Sequence, residues 1–275
     1  MLDLRVSVVI PALNEAANLR HVLPMVPRDV HEVILVDGFS DDDTIATARE
    51  LMPTIRVVYQ EGPGKGAALR SGFSAATGDI IVMLDADGST DPGEIPLFVQ
   101  ALTAGADFAK GSRFLPGGGT ADMPRYRQLG NFFFVGLVRL LFGGRYTDLC
   151  YGYNAFWTHV LPVLAINANG FEIETMMNIR ALRARLVVVE VPSFEAKRVY
   201  GEGRLRTIPD GWRVLKTIFL ERFRPMSVTS IAVRPRPLVG VMSGVNDRSG
   251  VPDDRVAVSV EVEAAGDVAQ ELVRT

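Results

Sequence analysis

Apolar positions along this chain gather into short continuous runs, and each run stops at a polar residue. "VSVVIPA" (Val6–Ala12) and "EVILVD" (Glu32–Asp37) are β-branched runs that end this way, and residues 15–26 between them can form a helix. That is a strand–helix–strand opening. "IRVVYQ" (55–60) follows, then an expected helix over 65–76, then the run "DIIVMLDAD" (79–87). Strands apolar on both faces belong to a mostly parallel sheet covered by helices on each side. Ligands of such α/β sheets bind beyond the carboxyl ends of the strands. Asn14, Asp37 and Asp85 each follow a strand at that edge.

Beyond "DFAKGSRF" (107–114) the pattern changes. "LPGGGTADMP" reads as a flexible loop. It is followed by an apolar helix over 125–142, a polar strand-like piece "DLCYGYNAFW" (148–157), a helix near 171–183, the strand "LVVVEVP" (186–192) and a last helix over 210–223. The expected organisation is one domain, 1–224, with halves 1–115 and 116–224. From Pro225 onward Pro, Gly and Ser mix without periodicity, which reads as a mobile tail over 225–275. Within it "VAVSVEVE" (256–263) alternates like a strand.

Composition narrows the classes. Of 275 residues, 48% are hydrophobic and 22% charged, enough apolar content for a buried core. A net charge of -3 gives no basic field, so no nucleic-acid partner is expected, and an anion site must be local. The lone Cys150 has no partner for an internal disulfide, and residues 1–20 lack the order of a secretory signal, so the expected compartment is the cytoplasm. No segment reaches the roughly 18 apolar residues of a membrane span. "FFFVGLVRLLF" (132–142) is too short and carries Arg139.

The densest candidate chemistry is "LDADGSTDP", where Asp85, Asp87 and Asp91 crowd together and need a positive partner. Asp85 and Asp87 can share a divalent cation, Mg²⁺ or Mn²⁺, because such ions take hard oxygen ligands and bind substrate phosphates through only one or two carboxylates. Asp91 before Pro92 reads as a helix cap. A calcium EF-hand loop counted from Asp85 fails, since it needs Gly and Glu where Thr90 and Pro96 stand. An aspartyl phosphohydrolase and a merely solvated acidic turn remain open on these residues alone. "GPGKGAALRSGF" (62–73) is not a P-loop, because Gly66 follows Lys65 where Ser or Thr is required. Its glycines permit close backbone approach, with Lys65 and the helix start facing an anion.

Taken in order, "VSVVIPALNE", "VDGFSDDDT", "GPGKGAALRSGFSAATGDIIVMLDADGSTDP", "KGSRF", "YGYNAF" and "RVYGEGRL" resemble the family 2 glycosyltransferases, and within them the dolichyl- or polyprenyl-phosphate sugar synthases. The resemblance covers about 5–224. It implies a Rossmann-like nucleotide-diphospho-sugar transferase fold (GT-A). It also implies an inverting, metal-dependent transfer from a GDP- or UDP-sugar to polyprenyl phosphate. By position, Pro11, Asn14, Glu15, Asp37 and Lys65 fall to the donor, with Gly38 replacing the family's second acid and Phe39 standing where a Gly is usual. Asp85 and Asp87 match the metal and diphosphate motif, with Ser89 beside them. Arg113, Arg125, Arg127, Arg198 and Arg204 match acceptor-phosphate arginines, and Asp148, with Arg113, is the candidate catalytic residue.

A lipid phosphate has a second pKa of about 6 by analogy with phosphorylated side chains, so it is already an oxyanion and needs no strong base. A hydroxyl acceptor, the alternative for the same fold, would make a base such as Asp148 obligatory. A polyprenyl chain comes from a bilayer, and residues 131–143 and 211–223 are the two expected docking surfaces of a peripheral protein on the cytoplasmic face. No oligomeric state is assigned from the sequence.

Overall fold

The computed structural model describes residues 4–225. The expected mobile tail over 225–275, with its alternating stretch 256–263, therefore lies outside the described residues apart from Pro225.

The opening half follows the apolar runs. Strands β1 (Val6–Ala12), β2 (Glu32–Asp37), β3 (Arg56–Tyr59) and β4 (Ile80–Met83) alternate with helices α1 (Ala16–Val22), α2 (Thr44–Leu51) and α3 (Lys65–Ala75). Their register sends alternate side chains to opposite faces. Val8, Ile10, Leu35 and Val82 enter one core, while Val9, Ile34, Val36 and Ile81 enter the other. Each such side chain, fully buried, stabilises the fold by about 1.5–3 kcal/mol relative to exposure. Helix α1 is shorter than the expected 15–26. It gives way to a 3₁₀ turn at Leu23–Met25, because Pro24 has no N–H for the α-helical ladder.

The chain after β4 contributes α4 (Ile95–Thr103), β5 (Phe108–Ser112), α5 (Arg125–Phe142), β7 (Asn154–Trp157), α6 (Leu161–Leu164), α7 (Ile173–Arg183), β8 (Val188–Pro192) and α8 (Thr207–Phe223). Two short strands, β6 (Gly119–Thr120) and β9 (Phe194–Glu195), pair with each other apart from the main sheet. That main sheet has seven strands in the order β3-β2-β1-β4-β7-β5-β8. Strand β7 runs antiparallel to both β4 and β5, and every other pairing in it is parallel. Of the strand-like piece 148–157, only the last four residues extend. The rest is irregular, because its backbone amides bond side chains: Leu149 N donates to Asn131 Oδ1 at 3.0 Å and Asp148 N to Glu190 Oε1 at 3.2 Å.

Helix α3 lies on the sheet at close range because Gly72 has no side chain. A Cβ there would overlap Val9 and come within 2.8 Å of Val36 Cγ2. Helices α5, α7 and α8 close a third cluster around Val138, Ile179, Val214 and Ile218. Among the described residues no helix is long and apolar enough to cross a membrane.

Candidate active site

The carboxyl ends of β1, β2 and β4 bring the first half's polar residues to one edge. Past β1, which contains Pro11, Asn14 takes a left-handed φ of 55°, a conformation Asn tolerates. Its amide donates to Ser40 Oγ at 2.9 Å, and its Oδ1 accepts from the Asp41 amide at 2.9 Å, fastening the turn after β2. Asp37 ends β2 and is buried. Its Oδ2 accepts from the Ser40 amide at 3.1 Å, whereas Oδ1 is buried with no hydrogen-bond partner among the described residues.

Two cations separate the crowded acids after β4. Lys65 Nζ lies 2.7 Å from Asp85 Oδ1 and 3.0 Å from Glu174 Oε1. Burial alone would lower the Lys65 pKa, but the two carboxylates outweigh it and push it up. Burial raises the pKa of Glu174, against the pull of Lys65. Asp87 uses Oδ1 for the Ser89 amide and hydroxyl, at 2.9 and 2.6 Å, and Oδ2 for Arg198 Nη2 at 2.7 Å. Arg198 also reaches Glu15 Oε1 at 3.1 Å. Asp91 does cap the following turn, accepting from the Gly93 amide at 2.8 Å.

The segment carrying Arg198 roofs this edge. Ala196 N donates to Ser89 O at 2.8 Å, Tyr200 N to Asn18 Oδ1 at 2.9 Å, and Arg204 Nη2 to Leu13 O at 2.6 Å. Beneath it lies a pocket of about 210 Å³ bordered by Asn14, Glu15, Asn18, Asp42, Arg198 and Arg204.

A separate buried cluster forms past β5. The Arg113 fork grips Asp148, Nε to Oδ2 at 2.7 Å and Nη2 to Oδ1 at 3.0 Å, and its Nη1 reaches Glu195 Oε1 at 3.0 Å. The guanidinium carbon sits 4.6 Å from the centre of the Tyr151 ring. Burial would raise the Asp148 carboxyl, but Arg113 and then Lys110 hold it below the usual range. Burial also pushes the neighbouring Cys150 thiol up to about 12, so it is no nucleophile at neutral pH. Of the other expected arginines, Arg125 is exposed at the start of α5. Arg127 donates to Leu205 O and Thr207 Oγ1, both at 3.2 Å, tying α5 to the end of the roofing segment.

The edge thus gathers Asn14, Glu15, Asp85, Asp87, Lys65, Arg198 and Arg204 by direct contacts, while Arg113 and Asp148 are spent on one another. The helix start at Lys65 does not face an open anion site. The Gly66 amide donates to Asn169 O at 2.8 Å and the Ala67 amide to the same oxygen at 3.3 Å. Glu174, which the sequence places on a helix near the acceptor half without a catalytic role, joins the site because residues 173–181 of its helix are all buried and a buried charge needs a partner. Glu195 left no comparable signal in the sequence.

Asp85 and Asp87 fit a divalent cation of the Mg²⁺ class. No cluster of three His, Cys, Asp or Glu able to hold a metal occurs among the described residues, but such ions are often held by two carboxylates and completed by substrate phosphates and water. Gly152 keeps the approach open, because a Cβ there would lie 2.8 Å from both Asp85 Oδ2 and Lys65 Nζ.

The model of the family described as "Glycosyl transferase family 2" matches residues 7–160. The dolichol-phosphate mannosyltransferase of Pyrococcus furiosus is 32% identical over 212 residues, covering 74% of this chain. The chain spans only 60% of that relative's length. The polyprenol monophosphomannose synthase of Mycolicibacterium smegmatis is 32% identical over 218 residues, which cover 73% of this chain and 81% of the relative. Among solved structures, glucosyl-3-phosphoglycerate synthase from Mycobacterium tuberculosis, in complex with Mn²⁺, uridine diphosphate and phosphoglyceric acid, superposes with a TM-score of 0.64 at 26% identity. That match covers 82% of this chain and 80% of the other. The sheet order and flanking helices are the GT-A architecture that the resemblance implied.

Proposed function

The chain belongs to glycosyl transferase family 2, and from that premise we propose that it moves a sugar from a GDP- or UDP-sugar to a polyprenyl phosphate, with inversion at the sugar carbon. One observation carries the choice of acceptor. Helices α5 and α8 leave Tyr126, Leu129, Leu140, Ile208, Trp212 and Phe223 largely exposed. Their exposed charged residues, Arg125, Arg139, Arg213, Lys216 and Arg222, are all cationic. Exposed apolar side chains accompanied only by positive charge along these two helices suit an anionic bilayer on the cytoplasmic side, from which a polyprenyl chain would be drawn.

In this reading Asn14, Glu15 and Asp37 line the donor end of the edge, after Pro11. Asp85 and Asp87 would hold Mg²⁺ or Mn²⁺, which neutralises charge on the departing nucleoside diphosphate. Lys65 keeps Asp85 aimed, and it supplies positive charge beside that group. Arg198 and Arg204, on the roofing segment, offer guanidinium forks to phosphate oxygens, and Arg125 and Arg127 mark where the acceptor arrives. The acceptor oxygen is already anionic, so no residue needs to remove a proton. Asp148, with both oxygens engaged, then acts as the holder of Arg113 rather than as a base.

A second reading, transfer to a small phosphorylated or hydroxyl acceptor, is favoured by the neighbour solved with phosphoglyceric acid. Family membership removes the aspartyl phosphohydrolase. The deciding experiment offers GDP- and UDP-sugars with Mn²⁺ to a short-chain polyprenyl phosphate, the matching free alcohol and 3-phosphoglycerate. Product on the lipid phosphate alone is expected, and product only on a hydroxyl acceptor would sink the lipid reading.

A further inference from the structure

Resting on the polyprenyl-phosphate reading above, we infer that Glu195 is a competing anion built into the acceptor site: it holds the third arm of the Arg113 fork, and the acceptor phosphate binds there by displacing it. Arg113 Nε and Nη2 are spent on Asp148, while Nη1 donates to Glu195 Oε1 at 3.0 Å. The Arg113 side chain is only 3% exposed. No phosphate oxygen reaches Nη1 while Glu195 stays in place.

The two carboxylates are not held equally. Asp148 has a fully buried side chain, and besides the fork it accepts from the backbone amides of Arg113 and Cys150, both at 3.3 Å. Parting it from Arg113 would strand a charge away from water, which is strongly destabilising. Glu195 is 16% exposed, meets Arg113 through one oxygen only and rests the other on Thr120 Oγ1 at 2.5 Å. It lies on β9, whose two residues pair with those of β6 outside the main sheet. Access to water lowers the cost of letting go, so of the two acids Glu195 is the one that can leave.

Charge gives the exchange its consequence. Arg113 and the buried Lys110 stand against Asp148, Glu190 and Glu195, two cations to three carboxylates. A phosphate that arrives with Glu195 in place meets an excess of negative charge. Once Glu195 is drawn aside, cations and carboxylates are equal in number, and Nη1 offers a charge-assisted hydrogen bond to a phosphate oxygen. An uncharged hydroxyl is neither repelled by Glu195 nor rewarded in this way by Arg113. Glu195 therefore sets the affinity for a phosphate acceptor and leaves that for an alcohol alone.

Calorimetric titration of the full chain with a short-chain polyprenyl phosphate and with the matching free alcohol, alongside steady-state kinetics, tests this. Glu195→Gln keeps an oxygen for Arg113 Nη1 and removes the competing charge. It should bind the lipid phosphate about ten-fold tighter, equivalent to about 1.4 kcal/mol, and lower the acceptor KM to match. Turnover number, the KM of the sugar nucleotide and binding of the alcohol should stay unchanged. Replacing a residue that merely props the site would weaken binding, so the direction of the change separates the two roles. Asp122→Asn removes an exposed carboxylate close to Thr120 and should leave the affinity as in the parent; an equal gain there would reduce the effect to overall charge and overturn the exchange. Unchanged or weaker binding by folded Glu195→Gln overturns it too, with the acceptor reading intact. If that variant does not fold, Glu195→Asp, which withdraws the carboxylate by one methylene, decides by the same measure. A parent protein that neither binds nor glycosylates the lipid phosphate overturns the acceptor reading and the exchange with it.

Discussion

One ammonium, Lys65, stands between two carboxylates contributed by different halves of the chain, Asp85 and Glu174. Lys65→Met should remove the charge that separates them and cost about 3 kcal/mol of stability, the lower range for stranding a buried charge, because Asp85 is partly exposed. Chemical unfolding measures this, and turnover should fall at least a hundred-fold in the folded fraction. Asp148 makes the contrasting case. Asp148→Asn should lower Tm by several degrees through the loss of its ionic grip on Arg113, while the protein that remains folded keeps turnover on a phosphate acceptor within about ten-fold of the parent, since loss of a general base would cost roughly 10²–10⁴-fold. The two behave differently in the sequence as well. Asp85 and Asp87 announce themselves by crowding, whereas the partners of Arg113 lie 35 and 82 residues away and leave no spacing to read.

Elements reached the expected positions wherever burial on both faces left unbroken apolar letters, as in β1 and β2. Strand direction has no such letters, and nothing in "NAFW" distinguishes the antiparallel β7 from a parallel strand. Helix α3 rests on this sheet through Gly72, and Gly72→Ala should cost about 1–3 kcal/mol by overpacking against Val9 and Val36, read from the denaturant midpoint. At the opposite end of β2, Glu32 accepts from Ser7, the Thr77 amide and hydroxyl, and Arg56. Burial opposes ionisation there, yet these hydrogen bonds lower the Glu32 pKa from 4.5 to about 2. A depressed carboxyl stabilises the fold above its unfolded pKa and loses that contribution as pH falls through the folded one. The Tm gap between the parent and Glu32→Gln should therefore be complete at neutral pH and shrink between pH 4.5 and about 2.

Across the whole molecule, charge and apolarity are unevenly spread. The chain carries a net charge of -3, yet the exposed charges of α5 and α8 are all positive. The combined variant Ile208→Ser, Trp212→Ser, Phe223→Ser should float poorly with anionic liposomes, at least ten-fold below the parent, while turnover on a short, water-soluble acceptor is unchanged. Equal flotation of the two proteins would remove the bilayer from the account. Within the sheet, β4 and β5 come from the first 115 residues but never touch as strands, because β7 from the later part lies between them. The expected halves are accordingly interleaved. As the chain leaves the ribosome, its first four strands can assemble as a unit, but β5 has no sheet neighbour until residue 157 has been made. Until then its amides and carbonyls form an open row, the kind of surface that draws other chains into aggregates.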